Sequence, residues 1–154
     1  MQPSLLAVVT WGALGAVMIF VAGVTFGIPS YADVLFGFLP DFDFARGPLI
    51  ALEVAFGLCI EVLLAVTGVL VGYIVADRIF RPAALRWVDV LVGTAAVATL
   101  LVFATLVFIP GPPQLFLFMV GATAVGATIV LVLLVMRSLL RRAVSINVEL
   151  DEVV

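Results

Sequence analysis

Polar and charged residues fall in a few short clusters, and four long, almost wholly apolar stretches run between them. These cover about Leu5 to Ile28, Pro48 to Val75, Val88 to Ile109 and Gln114 to Met136. Each reaches the roughly 20 residues that a helix needs to cross a hydrocarbon core about 30 Å thick. Backbone groups in that core have no water to bond, so the stretches are expected to be helices. None alternates with period two over about ten residues, which excludes the strands of a transmembrane barrel. The predicted fold is all-α: one domain over residues 1–154, a four-helix transmembrane bundle with helices at 5–28, 48–75, 88–109 and 114–136. The first stretch begins Met1-Gln2-Pro3-Ser4, without a basic leader, and exceeds the roughly 7–15 apolar residues of a signal peptide. It is therefore expected to be a retained span.

A second pattern follows the fourth stretch. Leu139, Ala143, Ile146, Leu150 and Val153 recur at spacings of four and three, a helical stripe. Helix four is thus expected to continue as a helical tail over 137–154. Its stripe packs on the second loop or the membrane, or else docks a cytoplasmic protein. Arg141 and Arg142 fall where lipid phosphates would lie.

Composition agrees with this reading and narrows the chemistry. Hydrophobic residues make up 66% of the chain and charged residues 11%, against roughly a quarter charged in a soluble domain. There is no His and no Lys, which removes the commonest general base and every Schiff-base mechanism. Cys59 is the single cysteine, so no intramolecular disulfide can form, and it reads as a small apolar residue. The expectation is a protein that is not an enzyme and carries no cofactor or metal. A net charge of −3 gives no support to direct nucleic-acid binding.

The arginines set the expected orientation. Arg78, Arg81 and Arg86 lie between helices two and three, and Arg137, Arg141 and Arg142 lie in the tail. Arg46 alone falls on the other face. Basic residues favour the cytoplasmic side, so both termini are expected inside a cell membrane. Trp87 fits an interfacial anchor, whereas Trp11 either anchors helix one or packs inward. Pro110-Gly111-Pro112-Pro113 predicts a tight turn between helices three and four. Ser30 to Phe44 reads as a longer external loop at the membrane surface, with Phe36, Phe38, Phe42 and Phe44 among Asp33, Asp41 and Asp43. That acidic loop is expected to be solvated rather than a cation site. Gly23 with Gly27 and Gly68 with Gly72 have the spacing that brings helices close, as do Gly12 with Ala16 and Ala122 with Gly126. They are assigned to packing within one bundle, with homo-oligomerisation left open.

Glu61 is the leading candidate functional residue. It lies 13 residues after Pro48, roughly 20 Å along helix two and near the bilayer centre. An ionised carboxylate there costs several kcal/mol at least, so the neutral acid is favoured. Thr67, Thr94, Thr99, Thr123 and Thr128 are the expected hydroxyl partners. Glu53, eight residues earlier and about 80° round the helix, shares a broad face with it. The readings for Glu61 are polar glue between helices, a proton- or ligand-responsive group, and a cation site.

Three segments carry a resemblance. Ile79-Phe80-Arg81-Pro82-Ala83-Ala84-Leu85-Arg86-Trp87-Val88-Asp89-Val90-Leu91-Val92-Gly93, Val135-Met136-Arg137-Ser138-Leu139-Leu140-Arg141-Arg142-Ala143 and Glu149-Leu150-Asp151-Glu152-Val153-Val154 are similar to a bacterial family of small four-helix membrane proteins of unknown function. The likeness is to an actinobacterial branch and runs from about Phe56 onward. Cys59-Ile60-Glu61-Val62 also resembles its second helix, where Glu or Gln appears; Gln would favour polar glue. The absence of Lys from the second loop departs from the family. Members are often encoded beside a small helix-turn-helix protein, so the resemblance implies a membrane partner for a regulator and no catalytic residues. The function expected is a sensor or regulatory partner of a small cytoplasmic DNA-binding protein. The alternatives are a small proton-coupled transporter using Glu61 and an accessory subunit of a larger membrane complex.

Overall fold

A computed structural model of the chain describes residues 4–37, 43–76, 82–108 and 113–151. It holds four helices, α1 (Ser4–Gly37), α2 (Asp43–Val75), α3 (Pro82–Thr105) and α4 (Pro113–Asp151), and no strand among the described residues. All four are long and apolar enough to cross a membrane, over Val8–Val34, Phe44–Val75, Ala83–Thr105 and Pro113–Ile146. The four-helix, all-α architecture is as the hydrophobic pattern predicts.

The helix ends differ from the apolar limits, and backbone chemistry explains where. α1 continues past Ile28 to Gly37. Pro29 lies inside it and costs the Thr25 carbonyl its usual donor. No further Pro or Gly follows until Gly37, a residue that suits a helix C-terminus. Residues 30–37, expected in the first loop, are therefore helical. α2 begins at Asp43 rather than Pro48, with an acidic residue at the positive end of the helix dipole. Of the expected external loop, Phe38, Asp41 and Phe42 fall outside the described residues. α3 and α4 both open on proline, at Pro82 and Pro113, where the missing N–H has no helical acceptor to satisfy. α3 therefore starts six residues before Val88. It ends at Thr105 rather than Ile109, and three tighter turn bonds, from the N–H groups of Leu106, Val107 and Phe108, close it off. The Pro110–Pro112 part of the second hairpin and the loop arginines Arg78 and Arg81 lie outside the described residues.

The helices pack in chain order, α1 on α2, α2 on α3 and α3 on α4; no other pair approaches closely among the described residues. Each pair is antiparallel. Thr105 reaches the Met119 sulfur, and Asp89 pairs with Arg137. Between them, a Cβ built on Gly126 would lie 2.6 Å from the Thr99 hydroxyl. Along α1 and α2, Asp33 pairs with Arg46. Deeper in the same hairpin Thr25 lies against Gly57, Leu14 and Trp11 against Gly68, and Trp11 against Gly72. Trp11 thus lies along α2 with half of its surface exposed (50%), between its two expected placements.

Close packing relies on small residues, as the glycine spacing predicts, though not every pair takes part. Gly57, Gly68 and Gly126 are in tight seams and Gly72 is in ordinary contact with Trp11, whereas Gly23, Gly27 and Gly12 have nothing near a built Cβ. Gly23 and Gly27 are each two residues from Thr25, about 160° round the helix from the α2 seam. Their assignment to a tight contact within the bundle does not hold.

Burial is that of a chain solvated by lipid. Ala45 and Ala84 are fully buried, yet no large side chain among the described residues is, and Phe26 (86% exposed), Ile19 (78%) and Val107 (78%) face outward. Apolar surface this continuous is incompatible with water on all sides. The protein is a multi-pass membrane protein.

Candidate functional site

Glu61 sits on the α1-facing side of α2. It is four residues after Gly57 and seven before Gly68, within about 40° of both on a helical wheel, and both glycines touch α1 side chains. Cα–Cβ bonds in a helix tilt toward its N-terminus, so the Glu61 side chain leans toward Gly57 and the facing Thr25. Thr25 is itself buried, and Pro29 frees its carbonyl. The Oε1 atom of Glu61 is buried and has no hydrogen-bond partner among the described residues. An unsatisfied buried acceptor costs about 1–3 kcal/mol.

The expected threonine partners are engaged elsewhere. The hydroxyls of Thr67, Thr99, Thr123 and Thr128 donate to the carbonyls of Leu63, Ala95, Met119 and Ala124, one turn back on their own helices. Such back-bonding is a common fate of Thr inside a helix. Thr94 lies on α3, across α2 from the seam that holds Glu61, and lines a different surface with Cys59 and Gly93.

Glu53, two turns nearer the 38–42 segment, is exposed and has no partner among the described residues. It stands between two cavities. The larger, about 510 Å³, is a half-open recess between α1 and α2, lined by Val24, Ile28, Tyr31, Phe36 and Ile50 beside Glu53. The smaller, about 190 Å³, opens on the other side toward Leu52, Phe56, Val102, Thr105 and Phe118. The two glutamates therefore share one helix and one seam, at different depths, and only Glu53 borders the cavities.

Of the acidic loop residues, Asp33 is on α1 and is held by Arg46 of α2. Asp41 and the side chain of Asp43 lie outside the described residues. Asp89 and Arg137 form the corresponding pair between α3 and α4. Neither pair was legible as a contact until the hairpin register was known. One signal was available, because Asp89 and Arg137 are each 24 residues from Pro113, as partners across an antiparallel hairpin should be.

The tail stripe is divided by the fold. Leu139 and Ile146 are exposed (56% and 58%), Ala143 is half-buried, and the neighbouring Val144 is buried. By register Val144 comes level with the start of α3, near the fully buried Ala84, and it lies about 140° round the helix from Leu139. The side chains of Leu150 and Val153 lie outside the described residues.

No curated protein and no solved structure was found to match this chain. A family model described as "Protein of unknown function (DUF2975)" matches residues 30–154, reaching further toward the N-terminus than the likeness from about Phe56 suggested. The chain belongs to that family.

Proposed function

We propose that this is a non-enzymatic regulatory protein of the cell membrane that holds a small cytoplasmic DNA-binding protein through the tail of α4. The observation that carries this reading is the divided tail: Val144 is buried, while Leu139, five residues before it, and Ile146, two residues after it, lie about 20° apart on an exposed apolar face. Arg142, about 60° round the helix from Leu139, borders that face, and both it and Arg141 are exposed. The arginine bias supports a cytoplasmic tail, since orientation follows Lys and Arg counts rather than net charge and Arg137 counts although Asp89 pairs with it. The lack of His and Lys supports a role without catalysis. A family resemblance to proteins encoded beside a helix-turn-helix regulator supplies the class of partner.

A second reading, a small proton-coupled transporter, is favoured by one observation, the buried and unpartnered Oε1 of Glu61. Co-purification from solubilised native membranes separates the two. The regulatory reading expects a DNA-binding protein with the wild type. Ile146→Glu should reduce its recovery about tenfold or more, because a buried aliphatic side chain contributes roughly 1.5–3 kcal/mol. Asp151→Asn with Glu152→Gln should have a smaller effect that fades with salt. Purification of the chain alone, or full retention of the partner by Ile146→Glu, refutes the docking role.

A further inference from the structure

We propose that the cavity between α1 and α2 binds a monovalent amphiphilic cation, an organic ammonium or phosphonium with an apolar body, with Glu53 as its counter-charge. The cavity, about 510 Å³, falls within the roughly 300–1,000 Å³ typical of small-molecule sites. Val24, Ile28 and Ile50 form apolar walls, and the rings of Tyr31 and Phe36 border the same space. Aromatic faces attract cations within about 6 Å, so these walls accept charge as well as hydrocarbon. Glu53 is the one ionisable carboxylate among the lining residues.

The charge balance selects the ligand's sign. Arg46, the one arginine at this end of the helices, is engaged by Asp33. Arg137 is engaged by Asp89 toward the other end. Glu53 has no ionic or hydrogen-bond partner among the described residues. It lies seven residues beyond Arg46, about 10 Å deeper along α2, where a carboxylate without a counter-charge is unfavourable. A single positive charge neutralises it. An anion adds repulsion, and a dication leaves an excess charge in an apolar wall. The apolar lining then calls for a ligand with hydrocarbon around that charge, a molecule that also concentrates in the surrounding bilayer. The site lies at the opposite end of the helices from the α4 tail, so it stands or falls separately from the docking reading.

Tetraphenylphosphonium and tetraphenylborate, nearly equal in size and opposite in charge, provide the test. Equilibrium dialysis of radiolabelled tetraphenylphosphonium against the full chain in detergent micelles is expected to show saturable binding with about one site per chain. Tetraphenylborate should compete at least tenfold less well. Glu53→Gln should weaken binding about tenfold or more, equivalent to about 1.4 kcal/mol, and Val24→Trp should weaken it by filling the space. Glu61→Gln, outside the cavity, should leave it within about twofold. Helical circular dichroism and a monodisperse elution profile establish that each variant is folded, and the phosphonium–borate comparison needs no variant. Equal competition by the borate, unchanged affinity in folded Glu53→Gln, or loss of binding in Glu61→Gln alone overturns the assignment.

Discussion

Gly57→Leu is expected to separate α1 from α2, and even Gly57→Ala to destabilise the folded chain measurably. A Cβ at this position would overlap the Thr25 hydroxyl oxygen and lie 2.9 Å from its methyl and 3.1 Å from its Cβ. Thr is branched at Cβ and stiff about χ1, so it cannot swing both atoms clear without moving the helix. Overpacking of this kind costs about 1–3 kcal/mol for a small addition, and more for a larger one. Thr25→Ala removes the two closest atoms, so the double variant Thr25→Ala/Gly57→Ala should recover much of the loss. Gly121→Ala is the control, because nothing lies near a Cβ built there. Thermal loss of helicity in micelles provides the measure. Wild-type stability for Gly57→Ala with Thr25 intact would show that the seam is not packed as described.

The second large effect is expected where α3 and α4 pair Asp89 with Arg137. Both residues lie within apolar helices that can span a membrane, although both side chains are partly exposed. Removing one partner leaves the other charge unbalanced, and that costs more than the pair itself contributes. Asp89→Leu should therefore sharply lower the yield of folded protein, since Arg137 cannot lose its charge. Arg137→Leu should be milder, since a carboxyl group can take up a proton. Asp89→Leu/Arg137→Leu should fold better than Asp89→Leu alone. Size-exclusion recovery after detergent extraction ranks the three variants. A double variant worse than both singles would contradict the pairing.

The sequence reading and the structure agree where a single helix decides the matter and part where two helices must meet. Four spans were visible because about twenty apolar residues in succession admit few other structures. The extension of α1 to Gly37 was not, because Pro29 and the polar Ser30 and Asp33 resemble a loop when the Asp33–Arg46 pair is unseen. Glycine spacing identified close-packing helices but not their faces: Gly68 and Gly72 meet Trp11, whereas nothing lies near a Cβ built on Gly23 or Gly27. Glu61 stood out as a carboxylate at membrane depth, and its neighbours could not be named from the chain. Four of the five threonines suggested as partners close bonds within their own helices, Thr94 lies on another seam, and the buried Thr25 is one turn from Glu61, opposite Gly57. The cavity beside Glu53 was not legible either, since its walls come from residues far apart in sequence.

The regulatory account depends on the α4 tail lying in the cytoplasm, and cysteine labelling in a Cys59→Ser background tests that most directly. Ser145, on the exposed side of the tail, is replaced by Cys in one variant and Asp41, between α1 and α2, in another. Intact cells are treated with a membrane-impermeant maleimide, and opened cells with the same reagent. The account predicts that Asp41→Cys reacts in intact cells, whereas Ser145→Cys reacts only after the cells are opened. Labelling of Ser145→Cys in intact cells, with Asp41→Cys protected, would place the tail outside and contradict the account.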